Sequence, residues 1–171
     1  MQLRIRRAAA VAMLAVFSLE VSLGAVDSKG AAYFGGTVKV FDGAKDPVEG
    51  TLDTRREDAL VFAAQDKTFK GQTFSIPYAR VIDLEYGQKA GRRVGAAAAT
   101  TILLGPIGLL TLFSKKRKHY LTIGFRSDDD KDQVAVIELG KDIVRATLPI
   151  VETRSGKKIT YQDEEAKKSA K

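Results

Sequence analysis

The sequence predicts a mainly β fold: a small barrel of seven short strands with one C-terminal helix, carrying an inserted apolar helical hairpin. Three observations predict it. Short alternating or β-branched stretches recur between turn residues from Gly36 to Leu139. One amphipathic stretch follows them. The connection between the fifth and sixth strands is about thirty residues long where a tight hairpin would suffice, and connections of that length usually carry function.

The strands are expected in the following order. Residues 25–33 read as a loose lead-in. Gly36–Phe41 alternates well, and the turn opened by Asp42-Gly43 is closed by Asp46-Pro47. Val48–Thr54 and Ala59–Ala64 follow, separated by the charged turn Arg55–Asp58. Thr73–Ile76 is the fourth strand, stopped by Pro77, and Val81–Tyr86 the fifth. Tyr120–Phe125 and Gln133–Leu139 are the sixth and seventh, joined by the polar turn Ser127–Asp132. Most of these strands are only five to seven residues long, which suits a twisted small barrel or sandwich. In the helix, Val144, Leu148 and Val151 share a face, with Ile143 beside them. Gly156 suits the position just past the helix end, and Pro149 should remove a hydrogen bond and kink the helix. The charged tail 159–171 lacks apolar anchors from Tyr161 onward and is expected to be mobile.

Seven short strands followed by one helix is the order of the pleckstrin-homology (PH) superfold. The stretch Phe74–Gly87 (FSIPYARVIDLEYG), with YLTIGF, QVAVIELG and the helix KDIVRATLPIVETRSGKK, resembles the bacterial PH-like and GRAM-like domains over residues 34–158. The resemblance implies a scaffold for binding membranes or proteins, usually without catalysis. Many PH domains bind phosphoinositides through basic residues around the first hairpin loop. Here that loop, Asp42–Glu49, is net acidic, so phosphoinositide binding is not carried over.

The N-terminus reads as an export signal. Arg4, Arg6 and Arg7 precede the apolar run Ala8–Leu19, and Ser22-Leu23-Gly24 offers small residues for cleavage after Gly24. Residues 1–24 are therefore expected to be a signal peptide, cleaved or kept as an anchor, and the protein to be exported to the periplasm or cell envelope. The chain has no Cys, which removes disulfides, thiolate metal sites and thiol catalysis. Its net charge of +7 is unevenly distributed. Residues 1–24 contribute +2 and residues 89–118 contribute +7, so the rest of the chain is at −2. A body of that sign is a poor nucleic-acid-binding surface, and no nucleic-acid partner is expected.

The long connection, residues 87–118, carries the functional expectation. Val94–Phe113 contains no charge; Arg92 and Arg93 precede it, and Lys115, Lys116, Arg117 and Lys118 follow it. Twenty uncharged residues are long enough to cross a bilayer. If Tyr86 and Tyr120 lie on neighbouring strands, however, the ends of the segment sit about 5 Å apart, whereas a single crossing would separate them by roughly 30 Å. A helical hairpin broken at Gly105-Pro106 reconciles the two, with Val94–Leu104 descending about 16 Å and Ile107–Phe113 returning about 11 Å. Leu103, Leu104, Ile107, Leu109 and Leu110 would enter the acyl region, and the cationic collars would meet anionic headgroups. Gly87, Gly91, Gly95 and Ala99 recur at four-residue spacing and would form a smooth helix-packing stripe. Three other readings stay open: packing of the segment on its own sheet, a homo-oligomer built on the stripe without lipid contact, and a single span through residues 94–113.

Little else points to chemistry. His119 is the only histidine and has no partner nucleophile at a recognisable elbow. Asp128, Asp130 and Asp132 alternate like Ca²⁺ ligands, but the Gly and distal Glu of an EF-hand loop are missing. Asp53, Glu57 and Asp58 read as a charged hairpin tip rather than an acid–base pair. No glycine pattern holds a phosphate, and no catalytic residue, metal or cofactor is expected. A small-molecule ligand is left open by the sequence.

Overall fold

A computed structural model describes residues 30–88 and 118–171; the expected signal peptide and residues 89–117 lie outside the described residues. The described strands form one sheet of eight in the order β4-β3-β2-β1-β7-β6-β5-β8. These are β1 (Ala31–Gly36), β2 (Val48–Asp53), β3 (Ala59–Ala64), β4 (Thr73–Pro77), β5 (Val81–Gly87), β6 (His119–Arg126), β7 (Asp132–Leu139) and β8 (Ile159–Tyr161). Neighbours are antiparallel except β5 and β8, which are parallel. Helix α1 (Lys141–Ser155) follows β7, and a short helix α2 (Glu164–Ser169) follows β8.

The sheet is curled but not closed. β4 and β5 stand near opposite ends of the strand order, yet only the 3-10 turn Tyr78–Arg80 separates them in sequence. Three residues span at most about 11 Å, so the sheet must bend to bring β4 and β5 close. The expected barrel is corrected at this point. Pro77 has no N–H to offer a ladder, and the 3-10 turn uses the residues that would pair next.

Two other expectations are corrected. The first strand is Ala31–Gly36, not Gly36–Phe41, so part of the supposed lead-in belongs to the sheet. Ala31 to Phe34 are all buried, which erases the alternation that marks a half-exposed strand. Gly35 and Gly36 have φ of 153° and 131° at a bulge. A Cβ on Gly36 would lie 2.1 Å from the Val134 carbonyl oxygen, so only glycine fits there. Beyond it, Lys39–Phe41 forms a 3-10 turn that buries Val38 and Phe41, three residues apart, and exposes Val40. The tail is also ordered: β8 pairs with β5, and Ala166 of α2 is fully buried.

The concave face holds the core. Tyr33, Phe41, Phe62, Phe69 and Phe74 form its aromatic centre, with Phe62 and Phe74 stacked at 5.4 Å between centroids. Helix α1 adds Val144, Leu148 and Val151 from one face, as its spacing predicts. Gly156 ends α1 in the left-handed conformation with φ of 67°. Pro149 is accommodated within α1 on its solvent side, where the carbonyl freed at exposed Arg145 can meet water.

Arg154, in the last turn of α1, donates to the carbonyls of Thr54 and Arg56 and lies over the ring of Tyr78 at 5.7 Å. It ties the helix to the β2–β3 turn. The Tyr78 hydroxyl is buried without a hydrogen-bond partner among the described residues. Removing an unsatisfied buried hydroxyl while keeping the ring should stabilise the fold. Tyr78→Phe is expected to raise stability by about 1 kcal/mol, read as a higher urea midpoint at unchanged slope.

Candidate functional site

The long connection leaves the sheet at the end of β5 and returns at the start of β6. The two strands pair from Val81↔Phe125 to Gly87↔Tyr120, so the chain departs and re-enters side by side. Adjacent strands lie about 4.8 Å apart. The base of the connection is therefore a narrow root, and two polar clusters are built around it.

The first cluster is an ion pair. Lys118 Nζ donates to Glu138 Oε2 at 3.0 Å, with side-chain exposures of 17% and 5%. Glu138 interrupts an apolar stretch of β7 and faces Tyr120 on one side and Ala32 on the other. Burial pushes its pKa up, Lys118 opposes that rise, and nearby Glu49 adds to it. The Tyr120 hydroxyl is also driven up, by burial and then by Glu138. Lys118 thus holds a carboxylate that would otherwise be expensive to keep charged.

The second cluster lies at the end of β5. The Tyr86 hydroxyl is 2.5 Å from His119 Nδ1 and 3.2 Å from Ser169 Oγ, and Ser169 Oγ donates to the Ala166 carbonyl at 2.8 Å. One arrangement uses each proton once: His119 Nδ1–H to Tyr86, Tyr86 to Ser169, Ser169 to Ala166. The chain of bonds ties α2 to the root of the connection. The rings of Tyr86 and His119 stack at 6.1 Å, and burial pulls the His119 pKa below its usual 6.5.

Of the residues singled out from sequence, Gly87 and Lys118 are described. Gly87 is the last residue of β5, so it does not begin a helical stripe; a Cβ there would run into the side chain of Gln162. Lys118 is committed to Glu138 rather than standing free in a cationic collar. Arg92, Arg93, Leu103, Leu104, Ile107, Leu109, Leu110, Lys115, Lys116, Arg117, Gly91, Gly95 and Ala99 lie outside the described residues. Sequence reasoning missed Glu138, Tyr86 and Ser169. Only Glu138 left a signal, as a lone acid in the run VAVIEL.

The tempting acidic groups are neutralised locally. Asp53 accepts the Arg55 guanidinium and backbone N–H, which hold its carboxyl down at about 2. Asp58 is bound by Arg56. In the β6–β7 turn, Asp129 is held at about 2 by Lys131 and then Ser127, while Arg126 faces Asp130 and Asp132 and Arg80 faces Asp128. Among the described residues no helix is long and apolar enough to cross a membrane. No protein-family model matches the chain, and no curated protein matches it significantly.

Two predictions follow from the root. Lys118→Met leaves Glu138 buried without its counter-charge and should cost about 3 kcal/mol, whereas Lys118→Met with Glu138→Leu should recover most of that loss in urea unfolding. His119 has a depressed folded-state pKa, so its contribution is fully present above 6.5 and is lost as pH falls through the folded value. The stability difference between the wild-type chain and His119→Asn should therefore shrink between pH 7.5 and pH 5.5, measured by denaturant midpoints at each pH.

Proposed function

We propose that the chain is an exported, non-enzymatic PH-like module that attaches to anionic membranes through its 87–118 connection. The observation that carries this reading is the pairing of Gly87 with Tyr120. An apolar stretch of twenty uncharged residues is rooted at both ends in adjacent strands, so it must go out and come back on one side. That geometry favours a hairpin turning at Gly105-Pro106 over a single crossing, which would carry its ends roughly 30 Å apart. The open curled sheet, the meander order within β1–β4 and β5–β7, and the helix after β7 support the PH-like reading.

The attachment has an apolar and an ionic part. Arms of about 16 Å and 11 Å reach roughly the middle of a bilayer whose core is about 30 Å thick. Because Lys118 is taken up by Glu138, the ionic part falls to Arg92, Arg93, Lys115, Lys116 and Arg117. Each contributes about 1 kcal/mol near an anionic surface and is screened by salt.

Flotation with vesicles containing anionic lipid tests the reading. The protein should float, and replacing residues 92–117 with a short Gly/Ser linker should abolish flotation; equal flotation of the two would refute it. The triple change Lys115→Gln, Lys116→Gln, Arg117→Gln should weaken binding about a hundredfold at low salt. A loss of self-association instead, measured by light scattering without lipid in Gly91→Leu with Gly95→Leu, would favour an oligomerising module.

A further inference from the structure

Two loops of the β1–β4 half of the sheet face each other. In the β1–β2 loop, residues 37–47, the 3-10 turn Lys39–Phe41 sets the path, and the Ala44 N–H donates to the Phe41 carbonyl at 3.1 Å. The β3–β4 loop, residues 65–72, is fastened to β2: the N–H groups of Gln65 and Asp66 both donate to the Glu49 carbonyl, at 2.8 and 3.1 Å. Asp66 Oδ1 then accepts the Thr68 N–H at 2.8 Å. Both walls are thus held by hydrogen bonds within the chain, and a cleft of about 290 Å³ lies between them. That volume is near the lower end for small-molecule sites.

The floor of the cleft is apolar. Val48 is buried, and half-buried Ala44 and Phe69 pack on the concave core, where Phe69 meets Phe41 edge-to-face at 5.5 Å. The rim carries Lys45, Asp46 and Asp66. In the other charged turns opposite charges are paired off: Arg55 with Asp53, Arg56 with Asp58, Lys131 with Asp129. Lys45 and Asp46 are neighbours in sequence, yet among the described residues neither side chain forms an ion pair or a hydrogen bond. Asp66 keeps its second carboxylate oxygen beside the one given to Thr68. Lys67 and Lys70 share the loop of Asp66 but do not line the cleft.

We propose that this cleft binds a small zwitterion, an α-amino acid with an apolar side chain. Its ammonium group has three protons to donate, which the carboxylates of Asp46 and Asp66 accept, and its carboxylate takes the Lys45 ammonium. Its side chain covers Phe69 and Val48 and removes their apolar surface from water. A phosphate suits the rim poorly, since it would meet two carboxylates against one lysine. A simple amine would leave Lys45 facing a second positive charge, and a hydrocarbon would leave all three charges unused. Because the walls are fixed before binding, little ordering entropy is lost on association. The site uses no residue of the 87–118 connection, so it goes beyond the membrane reading and stands or falls without it.

The test is an NMR titration of the isotope-labelled full chain with L-leucine, following backbone amides. The Ala44 and Thr68 signals should shift saturably, with a midpoint of about 1 mM or lower. Three probes each remove one part of leucine: isoamylamine lacks the carboxylate, isocaproate the ammonium, and glycine the side chain. Each should bind at least about fivefold more weakly, the upper range for an exposed ion pair. Lys45→Gln should weaken leucine about fivefold and leave isoamylamine unchanged, whereas Asp66→Asn, which keeps an acceptor for the Thr68 N–H, should weaken both. Arg55→Gln, on the β2–β3 turn, should alter neither. If Asp66→Asn loses the native spectrum, Asp46→Asn takes its place. The proposal is overturned by no saturable shift with leucine, or by any of the three probes binding as tightly as leucine. It is overturned equally by inorganic phosphate moving the same amides saturably, or by unchanged leucine affinity in the Lys45 and aspartate variants.

Discussion

The ladder between β5 and β6 is the contact from which the other features take their position. It joins β5 to the sheet across the long connection, and β6 in turn pairs with β7 along its whole length from His119↔Leu139 to Arg126↔Asp132. β7 pairs with β1, and β1 with β2, so one continuous set of backbone bonds runs across the molecule. Because the register ends at Gly87↔Tyr120, the thirty residues between them cost the fold little more than loop-closure entropy, which rises slowly with length. A long apolar segment can be carried on such a root without disturbing the core.

The polar groups at that root are arranged to be satisfied rather than reactive. Lys118 and Glu138 are both largely withdrawn from water, and each makes the other tolerable. His119, Tyr86 and Ser169 pass a single line of hydrogen bonds into the backbone of α2. A root fixed in this way holds the end of β5 and the start of β6 side by side.

Legibility followed exposure. Ala59–Ala64 and Val81–Gly87 could be placed to within a residue because turn residues bracket them, and the end of α1 was marked by Gly156. β1 was displaced because Ala31–Phe34 is covered on both faces, so no alternation exists to be read; the well-patterned GTVKVF instead spends its hydrophobes on a 3-10 turn. The site was half legible. Lys118 stood out as charge, but its partner lies twenty residues away and only strand register brings it near. Tyr86 and Ser169 are separated by 83 residues and left no pattern at all. β8 and α2 were hidden by their charged composition, since a strand of three residues and a helix anchored by one alanine carry almost no hydrophobic signal.

β8 adds something to β5 beyond three more pairings. It covers the outer hydrogen-bonding edge of Leu84–Tyr86, in a strand whose last four residues are buried. An edge of that kind, left bare, is a template for another chain's strand. A recombinant boundary drawn at residue 158, where composition suggests that the domain stops, would remove this cover. The shortened product would be prone to aggregate through β5, and it would also lose Ile159 and Ala166 from its concave core.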